Sequence, residues 1–225
     1  MSQAVLTLKG AKSLPGIPRG GGFHHGNLRL ALLGAALGLP DIEGLSLRQL
    51  ASGLGVTAAA AYRHFASRED LLEEVARLGF DRLEVRFAEA FDIGCPPADP
   101  TEARARMHRL ACAYLQFADD EPALWRLMFG AQGARYRASA RPVGRPHSYD
   151  YLTAALAGLH VAGAIPCAPD PGDALFAWSA LHGAATLRAG RVEGTRLPSS
   201  VLAELIVERV IRALGATPLK EDNPP

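Results

Sequence analysis

Two neighbouring residues, Tyr62 and Arg63, carry the clearest chemistry in this sequence. A tyrosine hydroxyl donates to a phosphate oxygen, or its ring stacks near a sugar. An arginine fork makes two hydrogen bonds to a guanine edge or binds phosphate. His64 follows them, and Thr57-Ala58-Ala59-Ala60-Ala61 precedes them. On a helix, Ala61 and Phe65 share one face, while Ala58, Ala59, Tyr62 and Arg63 share another. Arg29, Arg48 and Arg68 are further candidate phosphate contacts. Arg68 stands at a helix start, where free N–H groups favour an anion. Four alanines in a row leave few polar base readers. They reach thymine methyl groups and little else, so specificity leans on Arg63, an N-terminal arm or DNA shape.

Other chemistries find no support. His24 and His25 are adjacent, but no further ligand lies near at metal-binding spacing, so no metal site is expected. Gly53-x-Gly55-x-x-Ala58 superficially fits a dinucleotide fingerprint. That motif must follow a strand, and here it follows an amphipathic helix. There is no nucleophile elbow, no H-E-x-x-H and no P-loop, so neither an enzyme nor a cofactor is expected. Cys95, Cys112 and Cys167 are odd in number and widely spaced. They suggest no disulfide framework and fit a reducing cytoplasm.

The elements that must position these residues are helices. Ser46 with Gln49 and Ser67 with Asp70 form two capping-box patterns. Between them Leu47, Leu50, Ala51 and Leu54 fall on one helical face. Gly55 supplies the residue that tolerates positive φ where that helix must stop. Thr57 then caps a second short helix ending near Phe65. Two short helices joined by a glycine-containing turn match a helix-turn-helix, whose second helix enters the DNA major groove. A first helix over about 26–38 precedes the pair. A long helix over about 68–90, roughly 34 Å, follows it and joins head to body. Further helices are expected over about 101–117, 122–130, 149–162, 172–189 and 199–214, with a long loop over 131–148.

A family resemblance rests on Gly55-Val56-Thr57, Tyr62-Arg63-His64-Phe65 and Ser67-Arg68-Glu69-Asp70-Leu71-Leu72. This signature resembles that of TetR-family transcriptional regulators. His24-His25-Gly26-Asn27-Leu28-Arg29, Pro122 to Gly130, and Trp178-x-x-x-His182-Gly183 are similar to a subgroup named for a Trp-His-Gly motif in its C-terminal domain. The resemblance implies a homodimer on operator DNA, paired through the helices corresponding to the last two here.

Charge is divided accordingly. Residues 1–68 hold seven basic against two acidic side chains, a net +5, and the rest hold 17 basic against 21 acidic, a net −4. A basic head on an acidic body suits a chain that touches phosphate with one end. No apolar run suggests a signal peptide or a spanning helix. The expected organisation is all-α. It comprises a disordered basic arm over 1–22, a helix-turn-helix domain over 23–68, a helical ligand-binding and dimerisation domain over 69–217 and a flexible tail over 218–225.

The helix over 172–189 carries no charge between Asp173 and Arg188. A helix apolar all round must be covered on both sides, one by its own core and one by a second copy. Leu181 and Ala185 on it, with Leu202, Leu205 and Ile206 on the last helix, are the expected dimer contacts. His108, Trp125, Met128, Phe129, Trp178 and His182 are the expected effector contacts, because bulky groups among alanines leave space between helices. His182, inside an uncharged helix, needs a hydrogen-bond partner, either another helix or a ligand. The reading is a repressor released from its operator by a small, largely hydrophobic ligand. An activator or ligand-independent DNA binder, and a helical enzyme or carrier with an incidental helix-turn-helix, are the alternatives.

Overall fold

Several helix starts in this chain are written in side chains that accept the first free N–H groups. The structure, a computed structural model, describes residues 25–130, 146–190, 192 and 197–215. All regular structure among them is helical. The proposed arm over 1–22, His24, most of the proposed loop over 131–148 and the proposed tail lie outside the described residues.

The chain divides into two compact units after Val75. In the first, α1 (His25–Leu37), α2 (Leu47–Gly53) and α3 (Ala58–Tyr62) pack together. Leu28, Ala31, Leu32, Ala36, Leu47, Leu50, Ala51, Ala61 and Phe65 form their core. Ser46 Oγ accepts the Gln49 N–H at 3.5 Å, and Thr57 Oγ1 accepts the Ala60 N–H at 3.2 Å. Gly55 turns the chain at φ 72°, where a Cβ would be strained. The α3 helix ends at Tyr62, earlier than the expected Phe65. Beyond it Phe65 N–H still reaches the Ala61 carbonyl at 3.1 Å, so the chain leaves the helix through a turn that keeps Phe65 in the core.

The α4 helix (Arg68–Ala90) begins with a reciprocal box. Asp70 N–H donates to Ser67 Oγ at 3.0 Å, and Ser67 N–H donates to Asp70 Oδ2 at 3.1 Å. The second unit adds α5 (Pro100–Asp120), α6 (Pro122–Phe129), α7 (Ser148–Val161), α8 (Pro171–Ala189) and α9 (Ser199–Gly215). Proline at the first position of α5, α6 and α8 forfeits only an N–H that has no helical partner. The α5 helix packs on α6, α7, α8 and α9 and so forms the centre of this bundle. Its buried stripe, Ala103, Met107, Leu110, Ala111, Tyr114, Phe117 and Ala118, follows the helical period. Gly79 lets α4 approach α6: a Cβ there would lie 2.5 Å from Met128 Sδ. At the other end, Asp119 of α5 receives Arg188 of α8 and Ser199 of α9, tying three helices at one carboxylate.

The outward side of α8 differs from the expected one. Leu181 and Ala185 are buried within the protomer, with Ala174 and Ala177 beside them. Beyond its first turn, Leu175, Phe176, Ser179, Gly183, Thr186 and Leu187 are the exposed residues. The uncharged sequence left the rotation of this helix open, and packing on α5 fixed it. On α9, Leu205 is exposed, and Leu202 and Ile206 are half-buried.

Candidate nucleic-acid interface and effector region

The helix-turn-helix sorts its cations into two kinds. Arg29 is turned inward: it donates to the His64 carbonyl at 3.4 Å, pairs with Glu74 at 3.3 Å and lies 4.6 Å from the Phe65 ring centre. Arg68 donates through Nε to the Leu45 carbonyl at 2.9 Å and pairs with Glu69. Both therefore brace the fold around α3 while remaining partly exposed. Arg48 on α2 and Arg63 just after α3 are exposed, and neither pairs with an acid among the described residues. Tyr62 is 42 % exposed, so much of its ring is open to a partner. Ala59 is exposed and Ala58 half-buried, while Ala61, opposite Ala59, is fully buried. Thr57 is exposed, but its oxygen is engaged as the α3 cap. His64 is half-buried. The result is a surface of hydrocarbon and one phenol ring on α3, with Arg63 exposed at its end and Arg48 exposed on α2.

In the body, a set of polar side chains is paired internally. Trp178 Nε1 donates to the Tyr114 hydroxyl at 3.1 Å, and that hydroxyl lies 2.9 Å from His182 Nδ1. With the indole as donor, the hydroxyl proton is available to Nδ1. Around this node, Trp125 lies 4.5 Å from Phe129 and 5.0 Å from Tyr114, and Phe129 lies 4.7 Å from His182, centre to centre. Such spacings suit edge and offset ring contacts. Trp125 is almost fully buried, and its Nε1 has no hydrogen-bond partner among the described residues, which costs free energy in a dry interior.

A separate, mostly apolar groove of about 290 Å³ opens between Phe91, Pro96, Pro97 and Gly158. Arg106 at its edge is bound to Glu102 and to the Cys95 and Pro96 carbonyls. Hydrogen bonds from Arg106 and Arg109 hold the Glu102 carboxyl below the usual carboxylate range. Elsewhere, burial pushes the Glu84 carboxyl up despite its contact with His147 at 3.3 Å, and burial also raises the Cys112 thiol. Among the described residues no three metal-binding side chains converge, and no helix is long and apolar enough to cross a membrane.

Comparison with known proteins agrees with this division. Residues 37–75 match the family described as bacterial regulatory proteins, tetR family, and residues 107–214 match the tetracyclin repressor-like C-terminal domain. A Rhodococcus sp. RHA1 protein of unknown function is similar over 87 % of this chain and 99 % of its own, at 32 % identity and TM-score 0.66. The chain belongs to the TetR family. Two structures described as TetR-family proteins share the fold. One is a regulatory protein from Rhodococcus RHA1 (18 % identity, TM-score 0.61, 84 % of this chain and 97 % of that one). The other is the regulator PfmR from Thermus thermophilus (20 %, 0.57, 82 % and 97 %). No curated protein sequence matches the chain. As a TetR-family member it is a DNA-binding transcriptional regulator.

Against the expectations from sequence, this TetR chain keeps Arg48, Ala59, Tyr62 and Arg63 on the outer surface of the helix-turn-helix, whereas Arg29 and Arg68 are committed to its scaffold. Trp125, Phe129, Trp178 and His182 do converge. His108 and Met128 have other contacts. His108 Nε2 bonds the Ser200 carbonyl of α9 at 3.1 Å, and Met128 packs against α4 at Gly79. The group that sequence reasoning left out of the site is Tyr114, the shared partner of Trp178 and His182. Its signal was present: it is the one hydroxyl on the buried stripe of α5.

Proposed function

We propose that this regulator is a repressor that holds operator DNA as a homodimer and releases it when a small, largely hydrophobic molecule binds the body. The observation that carries the reading is the outward side of α8 and α9. Leu175, Phe176 and Leu187 on α8 and Val201 and Leu205 on α9 are all exposed in the single chain. A run of large apolar side chains on two adjacent helices wants a partner, and a second copy supplies the two-fold symmetry that paired half-sites need. The ring cluster around Tyr114 supports the effector part. It is apolar at its walls, holds one internally matched polar node, and leaves the Trp125 N–H as a donor for an acceptor on the ligand. Ligand that fits one state of the body better than another shifts the population away from the DNA-competent state. Activity of this kind needs no covalent chemistry and is expected in the cytoplasm.

The test is sedimentation combined with operator binding. Wild type should sediment as a dimer at micromolar concentration, and Leu205→Glu should give monomers that bind operator far more weakly. A charge at a buried interface leaves an unpaired ion and is strongly unfavourable. Effectors are sought among apolar compounds by quenching of tryptophan fluorescence, and one that binds should weaken operator affinity by about 5–150-fold. Monomeric wild type would overturn the dimer reading.

A further inference from the structure

We propose that α3 of this protein reads thymine C5-methyl groups in its DNA site, with Ala58 and Ala59 as the readers. The inference rests on α3 being the helix that enters the major groove, and it names the chemistry recognised there. Base reading by paired hydrogen bonds uses asparagine or glutamine for adenine, aspartate or glutamate for cytosine, and arginine or lysine for guanine. Between Thr57 and His64 the only such residue is Arg63. It lies past the end of α3, at the edge of the surface rather than its centre. Thr57 Oγ1 is occupied by the Ala60 N–H. Arg29 and Arg68, the neighbouring cations, are bound to backbone carbonyls and acids of the same unit. What remains on α3 is the methyl group of exposed Ala59, that of half-buried Ala58 and the exposed ring of Tyr62 beside them.

In the major groove, thymine alone among the four bases presents a methyl group. Side chains no longer than a methyl let the helix approach the base edges closely, and methyl against methyl removes apolar surface from water. A hydrogen-bonding edge pressed against the same surface would lose its water without a replacement partner, which disfavours the other bases. Cytosine methylated at C5 would offer the same group, but the operator base to which the proposal commits is thymine.

The test uses a DNA fragment selected from a random pool for tightest binding to the full chain. Its half-site thymines are then replaced by deoxyuridine, which removes the C5-methyl and leaves pairing edges and phosphates intact. Wild-type affinity should fall about fourfold for each methyl in contact, the value of one buried methyl-sized group. Its salt dependence, which reports phosphate contacts, should not change. Restoring thymine one position at a time should locate the contacts. At a contact position changed to a C·G pair, 5-methylcytosine should bind more tightly than cytosine. In Ala59→Gly, with its helical content checked by circular dichroism, the penalty for uracil should shrink. Equal affinity for thymine and uracil fragments, or a selected site without half-site thymine, would overturn the methyl reading and leave DNA binding intact. A uracil penalty undiminished in both Ala58→Gly and Ala59→Gly would overturn its assignment to α3. Failure to select any sequence would remove the α3 assignment as well.

Discussion

Arg48, Arg63 and Tyr62 of the head reach into solvent, while Tyr114, Trp178 and His182 of the body hydrogen-bond one another between α5 and α8. Both regions are helices packed through leucine and alanine, yet they use their polar groups differently. The head braces its scaffold with Arg29 and Arg68 and leaves Arg48 and Arg63 without an acidic partner among the described residues. A surplus of cations outside a finished core is available to phosphate without disturbing the fold. The ring cluster of the body has almost no surplus: its hydroxyl, indole and imidazole are matched, and within the cluster the Trp125 N–H is left over. Its polar groups are spent on joining α5 to α8, whereas those of the head stand outside a core that is already complete.

The comparison breaks most visibly at Trp125. Trp125→Ala should lower the stability of the body by about 3–5 kcal/mol, the usual cost of removing a buried aromatic ring. Differential scanning calorimetry should show this loss in a body transition while an isolated 1–75 fragment, if folded, is untouched. Little change on mutation would mean that the ring cluster is loosely packed.

Next comes the contrast within the head. Arg63→Ala should cost about 1–3 kcal/mol of operator affinity with unchanged melting. Arg29→Ala should instead lower stability by about 1 kcal/mol through loss of its ring and carbonyl contacts. Its effect on binding should track the loss of fold. Reversed results, with Arg29→Ala impairing binding at full stability, would return Arg29 to the DNA surface.

A last contrast lies at Tyr114. Tyr114→Phe keeps the ring and removes the hydroxyl, so the Trp178 N–H loses this acceptor and His182 Nδ1 loses this contact. A loss of about 1–3 kcal/mol is expected, with a shift in tryptophan emission that reports the changed indole contact. Unaltered emission and melting would show that water replaces the hydroxyl freely and that the node is not closed.

The helices themselves were legible because their ends are local. Serine, threonine or aspartate before a helix, proline at its first turn and glycine after it act over a few residues, so Ser46–Gln49 and Ser67–Asp70 mark α2 and α4 without any knowledge of the rest. The outer surface of α3 was legible for a similar reason: in a five-residue helix, burying Ala61 turns Ala59 to the far side and leaves Tyr62 beside it. Partners distant in sequence were not legible. Nothing in the spacing told that Arg29 would reach His64 and Glu74 rather than phosphate, or that Tyr114 would meet a side chain 68 residues away.

Sequence alone therefore determined which segments are helical, where they begin, and that a basic helix-turn-helix heads an acidic helical body. Those facts follow from short-range caps, period and charge. Tertiary structure decided which face each helix shows. The uncharged α8 had no polar stripe to mark its outside, so only packing against α5 could bury Leu181 and Ala185 and expose Leu175, Phe176 and Leu187. Likewise a cation is engaged or available according to which carbonyls and carboxylates the fold brings within about 3 Å, and that distance exists only once the chain has folded.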